Sequence, residues 1–261
     1  MELRARSLPY GEVKCERGLG VRRRLHAHDL LVLGAVEGEG RALYFLGDDT
    51  RAELREGGLL LFAPGTPHRL LSIEGAILRY RVLHLDLGKL FPEIGEKFFL
   101  HPRLYRDPRL YRRFNELCDA LLRTGSTEES TEAIKALLLP LARESDGSPR
   151  VHDSIEGLHA VRRVLEGDLE SPFDLQRLAQ RFGYNRYTLI RRFKSLYGLT
   201  PRQYYLNYRV HRVRELLAEG VGIAEAALEC GFYDQSHLYP YFHGVFGVPP
   251  ARYRNALKTT Q

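Results

Sequence analysis

Tryptophan is absent from this sequence of 261 residues, which also has only one methionine and three cysteines. Cys15, Cys118 and Cys230 are odd in number, lie far apart and form no CxxC pair, which excludes a disulfide framework and a cysteine-based zinc site. Unpaired thiols of this kind are typical of a reducing compartment. We therefore expect a cytoplasmic protein in which these cysteines are small buried side chains.

Long hydrophobic runs are missing as well. Apolar runs such as Leu59–Phe62 and Leu137–Leu139 are far shorter than the roughly 20 residues that cross a bilayer. The first residues, Met1-Glu2-Leu3-Arg4, carry charge where a signal peptide leads into its apolar segment. The sequence therefore predicts no membrane as a partner.

Acidic residues are lacking in one long block. Leu175 to Arg214 contains ten Lys or Arg and no Asp or Glu, whereas the whole chain carries a formal charge of only +6. A solvated helix face normally mixes both signs of charge. The block therefore predicts a surface that binds a polyanion such as a nucleic acid.

Two periodicities divide the chain. Over roughly the first hundred residues, turns rich in Gly, Pro and Asp separate short apolar runs, which favours a sandwich or small barrel. These runs are Leu30–Leu33, Ala42–Leu46, Leu59–Phe62 and Ile77–Leu87. From Pro108 the period becomes helical, and Ser145–Pro149 is the most linker-like stretch. We predict one domain at residues 1–145 and a second at residues 151–261.

Two helices are predicted at Pro108–Arg123 and Ser126–Arg143, each with an apolar stripe. Gly125 ends the first helix, and Ser126 with Glu129 is predicted to form a capping box for the second. The stripes favour a homodimer that forms through these helices. The alternative is that they pack on the β structure of their own chain.

A repeat occupies the last ninety residues or so. Seven residues recur after 48 positions for the first two and 49 for the others, so the second copy has one extra residue in its turn. They are Ala179, Gly183, Leu189, Phe193, Gly198, Pro201 and Tyr204, which recur as Ala227, Gly231, Leu238, Phe242, Gly247, Pro250 and Tyr253.

Each copy fits a helix-turn-helix unit. In the first copy, Asp174 is placed to cap one helix and Asn185 to cap the next. Gly183 and Gly198 follow these helices, where a helix end needs a left-handed backbone conformation. A third helix, from Pro201 to Leu217, is then expected to join the two units as a rigid strut.

At these residues a family becomes recognisable. The segment Leu178-Ala179-x3-Gly183…Leu189-x-Arg191-x-Phe193-Lys194-x3-Gly198-x2-Pro201-x2-Tyr204 resembles the AraC/XylS family of transcription regulators. So do Gly231-Phe232-x-Asp234-Gln235-Ser236-His237 and Phe246-Gly247-Val248-x-Pro250-x2-Tyr253-Arg254. The resemblance covers about residues 152–256. It implies two helix-turn-helix subdomains joined by a long helix, with double-stranded DNA as the partner and RNA polymerase as a further possible partner.

The resemblance also implies which side chains contact DNA. They are Arg186, Tyr187, Ile190, Arg191, Arg192 and Lys194 in the first copy, and Gln235, Ser236, His237 and Tyr239 in the second. We expect Arg191 to reach guanine, because a planar guanidinium matches its O6 and N7 atoms. Arg192 and Lys194 are expected to contact phosphate, and Tyr187 either DNA or a neighbouring helix.

The second copy departs from the family pattern. Pro240 stands where family members usually carry Arg, and His243-Gly244 replaces a usual basic pair. Because proline lacks a backbone donor, Pro240 is expected to kink its helix. Val213 replaces a usual Ala in the linker helix, which alters packing and not contact chemistry.

The family often carries an N-terminal cupin-like β-barrel that binds a small effector, and residues 20–85 are compatible with one. The resemblance places effector contacts at His26, His28, His68, Arg24 and Tyr80. His26 and His28 would share one face of a predicted strand, and three imidazoles can hold a transition metal. The Glu that metal-binding cupins carry after their HxH is absent, with His84 and Glu37 as conceivable substitutes. We expect no cofactor, and His26, His28 and His68 are the candidates if a metal is bound.

The sequence therefore predicts a two-domain α+β protein, with a cupin-like barrel and trailing helices followed by an all-α domain with two helix-turn-helix units. The predicted function is effector-responsive, sequence-specific DNA binding by a non-enzymatic transcription regulator. The alternative is a cupin-type metal-dependent enzyme with an appended DNA-binding domain. A DNA-repair alkyl transferase would need a reactive cysteine in an activating setting, and the sequence around Cys15, Cys118 and Cys230 does not indicate one.

Overall fold

The computed structural model describes residues 2–46, 50–73, 77–92, 102–143, 156–169 and 171–258. The chain divides into two compact units, one built mainly from residues 1–148 and the other mainly from residues 149–251. The predicted linker Ser145–Pro149 lies outside the described residues. The domain boundaries at 145 and 151 therefore remain predictions.

The first unit is built on two antiparallel sheets. Its strands are β1 Glu2–Leu8, β2 Gly11–Leu19, β3 Leu31–Glu37, β4 Ala42–Leu46, β5 Thr50–Leu54, β6 Leu59–Phe62, β7 His68–Ser72, β8 Ile77–Leu85 and β9 Arg103–Tyr105. One sheet has the order β1-β2-β8-β3-β6-β9 and the other the order β5-β4-β7. The four predicted apolar runs correspond to β3, β4, β6 and β8. The remaining strands were not predicted, because their sequences are polar or short.

Successive side chains of a strand point to opposite faces of its sheet, and in the larger sheet both faces are buried. On one face, Val36, Phe62 and Leu78 form a core with Tyr44 and Leu54 of the smaller sheet. The opposite face is covered by helices, so the larger sheet is the middle layer of the unit. The N-terminal half thus has the predicted sheet-rich fold, arranged as two packed sheets.

Helices α1 Leu87–Leu90, α2 Pro108–Thr124 and α3 Glu128–Arg143 complete this unit. The apolar stripes of α2 and α3 pack on the larger sheet, where Phe114 and Leu138 are fully buried in one cluster with Leu33 and Leu83. Leu117 belongs to the same cluster. The alternative, packing of the stripes on the chain's own β structure, is therefore confirmed, and dimerisation through these helices remains a prediction.

The cap of α3 lies one residue later than predicted. The backbone N–H of Ser130 donates to Thr127 Oγ1 at 3.1 Å, and the N–H of Thr127 donates to Ser130 Oγ at 2.8 Å. Thr127 and Ser130 thus satisfy each other's backbone donors, as in a capping box. Gly125 ends α2 as predicted.

Seven helices follow within residues 156–169 and 171–258. They are α4 Glu156–Gly167, α5 Leu175–Arg181, α6 Arg186–Tyr197, α7 Pro201–Ala218, α8 Ile223–Glu229, α9 Gln235–Phe246 and α10 Pro250–Lys258. The repeat is confirmed, since α5 and α8 each have 7 residues and α6 and α9 each have 12. The extra residue lies between α8 and α9, as expected.

The predicted helix signals are confirmed. The Asp174 side chain accepts hydrogen bonds at the start of α5, and Asn185 and Asp234 do so at α6 and α9. Gly198 and Gly247 end α6 and α9 with φ of 65° and 71°, a conformation that side chains with a Cβ rarely adopt. Among the residues that the structure describes, no helix is long and apolar enough to span a membrane.

Two neighbouring leucines of α3 test the layered packing of the first unit. Leu138 is fully buried, whereas Leu139 is 39% exposed. Leu138→Ala should lower the free energy of unfolding by about 2–5 kcal/mol, because it leaves a cavity in the core. Leu139→Ala should change it by no more than about 0.5 kcal/mol. Urea unfolding followed by circular dichroism measures both, and equal effects would contradict the packing described here.

Candidate functional site

Helix α6, the first reading helix, has one inward and one outward face. Leu189 and Phe193 are fully buried and anchor the helix in the core of the first copy. Arg186, Tyr187 and Arg191 point to solvent, with Tyr187 80% exposed. An aromatic side chain this exposed is not packing on a neighbouring helix. It is therefore available as a contact residue.

The other predicted residues of α6 lie at the margins of this face. Ile190 and Lys194 are half-buried, whereas Arg192 is exposed with its guanidinium carbon 5.9 Å from the ring centroid of Tyr184. The six predicted residues thus share one helix. They divide into an exposed group and a half-buried group.

Helix α9, the second reading helix, exposes Gln235, Ser236, His237 and Tyr239. The helix continues through Pro240, which therefore does not end it. The backbone N–H of Tyr233 donates to His237 Nδ1 at 3.3 Å and holds that ring against its own turn. None of the exposed predicted residues of α9 carries a permanent positive charge.

The basic block, Leu175 to Arg214, contributes fewer exposed cations than its ten Lys and Arg residues suggest. Arg209 is buried, and Arg212 and Arg214 lie 3.1 and 3.4 Å from the carboxylate of Glu215. The exposed arginines of the block are Arg177, Arg181, Arg186, Arg191, Arg192 and Arg202. The positive surface is therefore concentrated on α5, α6 and the start of α7.

Arg209 has a structural role that its charge did not predict. It donates from Nε to the carbonyl of Cys230 at the end of α8. Its guanidinium lies 4.8 and 5.1 Å from the ring centroids of Tyr205 and Phe232. Burial lowers the pKa of this guanidinium. A Cβ at Gly231 would come within 1.6 Å of a guanidinium nitrogen, so Arg209 requires glycine there.

The candidate effector residues centre on buried histidines. His26, His28 and His68 are all buried, and the ring centroids of His28 and His68 lie 5.2 Å apart. His26 and His28 lie in an irregular segment between β2 and β3, so the predicted strand there was wrong. The ring of buried His84 contacts that of His28, with centroids 4.7 Å apart.

His68 is the best-defined member of the cluster. Its Nδ1 lies 2.8 Å from the carbonyl oxygen of Thr66, and the ring stacks on Phe62 with centroids 3.9 Å apart. Burial lowers the pKa of His68 to about 4, although the hydrogen bond to Thr66 opposes the shift. The ring is therefore neutral at pH 7.

Tyr80 and Arg24 have different positions. Tyr80 is buried and donates its hydroxyl proton to the carboxylate of Glu16. Arg24 is exposed. Glu37 pairs with Arg79 at 3.1 Å and with Arg81, so it is not free to complete the histidine cluster.

Sequence reasoning missed the buried charges of β2. Glu12, Lys14 and Glu16 alternate along this strand and are all buried, and Glu12 lies 3.1 Å from Lys14. The alternation was visible in the sequence, but charged residues at every second position are normally the solvent face of a strand. Buried charges that are paired in this way are instead candidates for ligand recognition.

The cysteines do not support nucleophilic chemistry. Cys118 and Cys230 are buried and Cys15 is half-buried, and none of the three forms a disulfide. Burial raises the pKa of Cys15, of Cys118 and, to about 12, of Cys230. Because the thiolate is the nucleophile, burial disfavours the reactive form of each thiol. The cysteines therefore do not favour the alkyl transferase alternative.

Two family models match the chain. The AraC-like ligand binding domain matches residues 10–142, and the helix-turn-helix domain matches residues 178–256. The HTH-type transcriptional regulator YbfI of Bacillus subtilis is 28% identical over 247 residues, which are 88% of this chain and 87% of that protein. The transcriptional activator RhaR of Pectobacterium carotovorum is 27% identical over 250 residues, covering 88% and 85%.

A solved structure has a similar fold. ToxT from Vibrio cholerae superposes with a TM-score of 0.62 over 98% of this chain and 97% of that one. The sequences are only 12% identical, so this likeness concerns the fold alone. It has the same order of a sheet-rich part followed by helix-turn-helix units.

Proposed function

Because the chain belongs to the AraC family of transcription regulators, we propose that its first reading helix supplies most of its affinity for DNA. The chain is an effector-responsive, DNA-binding regulator of transcription. The observation that carries the proposal is the outward face of α6, where Arg186 and Arg191 are exposed beside Tyr187. Domains at residues 1–145 and 151–261 would divide effector sensing from DNA binding.

Base recognition is proposed to depend on Arg191. An exposed guanidinium on a helix anchored by Leu189 and Phe193 has the reach and the planar geometry to pair with guanine in the major groove. Arg192 and Lys194 flank it and would neutralise phosphates, which positions the helix without reading sequence.

The second reading helix is proposed to contribute less affinity. Its sequence contains no Lys or Arg, and Pro240 occupies the repeat position of Arg191. Phosphate neutralisation accounts for much of the affinity of DNA-binding proteins. A helix with Gln235, Ser236, His237 and Tyr239 can add hydrogen bonds to bases, but it lacks that electrostatic part.

Effector binding is proposed for the interior of the first unit. The supporting observation is the set of buried polar side chains, because polar groups are costly to bury unless they have partners or a ligand to bind. Glu16 and Tyr80 are joined by a hydrogen bond, and His28, His68 and His84 lie in one cluster. Exposed Arg24 is not part of this proposed lining.

Further partners also belong to the proposal. A groove between α2 and α3, lined by Leu117, Ala120, Ala133, Leu137 and their polar neighbours, would seat a second copy. RNA polymerase is a further proposed partner. No catalytic role is proposed.

Arg191 and Lys194 test the roles of the first reading helix. Arg191→Ala should weaken binding to the preferred operator by about 1–3 kcal/mol and relax the preference at one base pair. Lys194→Ala should weaken binding to all sequences alike and reduce the slope of log K against log salt by about one. Selection from a randomised operator library at two salt concentrations measures both. Unchanged base preference in Arg191→Ala would contradict the assignment.

His237 and Tyr239 test the asymmetry between the two helices. His237→Ala and Tyr239→Ala should each change operator affinity by less than about 1 kcal/mol, because neither substitution removes a Lys or Arg that could neutralise a phosphate. The same library, assayed with these variants, gives the base preference of the second half-site. If that preference is the sharper of the two and disappears in His237→Ala, the asymmetry is the reverse of the one proposed.

Glu16 and Arg24 test the effector site. A thermal-shift screen of small metabolites identifies a ligand, which at 100 times its Kd should stabilise the full chain by roughly 2.7 kcal/mol. Glu16→Gln should weaken that ligand at least about tenfold, because a charged acceptor is lost. Arg24→Ala should leave its affinity unchanged. The opposite pattern would move the site away from the buried polar residues.

A further inference from the structure

A run of exposed arginines lies on the first unit, away from both the reading helices and the proposed effector site. Residues 103–113 contain five arginines and only one acidic residue, whereas residues 1–149 as a whole are almost neutral, with 23 Lys or Arg against 22 Asp or Glu. All five arginines are exposed, namely Arg103, Arg106, Arg109, Arg112 and Arg113. The positive charge of the first unit is therefore concentrated in one short segment.

Helix α2 presents these arginines on its outward side. Arg109, Arg112 and Arg113 lie at i, i+3 and i+4 in the first turns of the helix, positions that are neighbours on a helix surface. Arg106 directly precedes Asp107, the residue that caps α2. The opposite side of the helix is buried in the core of the unit. The arginines are thus carried by a rigid, well-anchored element.

Nearby carboxylates leave this face positive. The carboxylate of Asp107 accepts the backbone N–H of Arg109 at 2.8 Å and is used as the helix cap. Arg106 donates to the backbone carbonyl of Glu53 at 3.4 Å, a contact that leaves the guanidinium charge uncompensated. The next acidic residue of α2, Glu116, is a single charge against those of the arginines. A solvated surface normally mixes both signs more evenly, so this face fits a polyanion.

The buried side of α2 indicates which polyanion the face fits. A helix that binds a membrane surface needs an apolar side that enters the lipid. The apolar stripe of α2 instead packs on the chain's own sheet. Binding to DNA phosphates requires only exposed cations. DNA held by the reading helices is also linked to the first unit through the chain, which raises its effective concentration there.

We propose that Arg106, Arg109 and Arg112 contact phosphates of the DNA that flanks the operator. The contact is independent of sequence, because pairs between guanidinium groups and phosphates position a protein without reading bases. Arg113 is left out of the assignment because it lines the groove between α2 and α3. The proposal rests on DNA binding by the reading helices, but it requires no particular base contact from them.

Two duplexes of different length test the flanking contact. The full chain is titrated with the operator selected from the randomised library, as a duplex of about 20 base pairs that covers two half-sites. It is also titrated with the same operator extended by a second duplex length on each side. The slope of log K against log salt should be steeper by about three on the extended duplex, since three more phosphates are neutralised.

A triple variant identifies the arginines. Arg106→Gln, Arg109→Gln and Arg112→Gln together should abolish the difference in slope between the two duplexes and leave binding to the short duplex unchanged. A scattered triple variant, with Arg4→Gln, Arg17→Gln and Arg51→Gln, is the matched control.

The control removes the same three charges from exposed positions of β1, β2 and β5 and should keep the wild-type difference. The same loss in both triple variants would overturn the proposal, because net charge alone would then explain it. Equal wild-type slopes on the two duplexes would reject the flanking contact alone. If the wild type does not bind the short duplex, the proposal for the reading helices fails and the flanking contact fails with it.

Two further measurements complete the test. Hydroxyl-radical footprinting of the wild type on the extended duplex needs no substitution and should show backbone protection beyond the two half-sites. Protection confined to the half-sites would contradict the proposal. Vesicles of phosphatidylglycerol test the membrane alternative, and neither the wild type nor the triple variant should sediment with them. Sedimentation of the wild type that is lost in the variant, together with equal slopes on DNA, would assign the face to a membrane instead.

Discussion

Helix α7 joins the two helix-turn-helix copies, and its buried Arg209 contacts the second copy. Its side chain lies between the rings of Tyr205 and Phe232 and reaches the carbonyl at the end of α8. A guanidinium is buried at acceptable cost only when such partners are present. Gly231 must therefore stay glycine, both for its φ of +71° and because a Cβ would overlap Arg209.

The arginines of the basic block have different structural environments and therefore different roles. Arg209 is committed to the interior, Arg212 and Arg214 are paired with Glu215, and Arg191 remains exposed on a helix whose other face is buried. A charge count treats these residues alike, although only exposed cations can release counterions from DNA. The unequal contributions proposed for the two reading helices thus follow from which arginines are buried more than from composition.

In the first unit, burial constrains the polar side chains in a similar way. Its middle sheet is buried on both faces, by α2 and α3 on one side and by the smaller sheet on the other. The charged residues of β2 and the histidines near β3 and β7 are consequently inside the protein. Groups that are costly to bury, such as Glu16 and His68, have nearby partners, and this is why the effector site is proposed there.

The sequence alone determined the repeat, the caps at Asp174, Asn185 and Asp234, and the strands whose apolar runs are continuous. These features are local, because capping, left-handed glycines and helical periodicity act within a few residues. It also determined the family, since the motif residues are spaced along single helices. The tertiary structure alone decided which charges are buried, where the stripes of α2 and α3 pack, and that His28, His68 and His84 lie in one cluster. Those outcomes depend on contacts between residues far apart in the chain, and no local pattern specifies them.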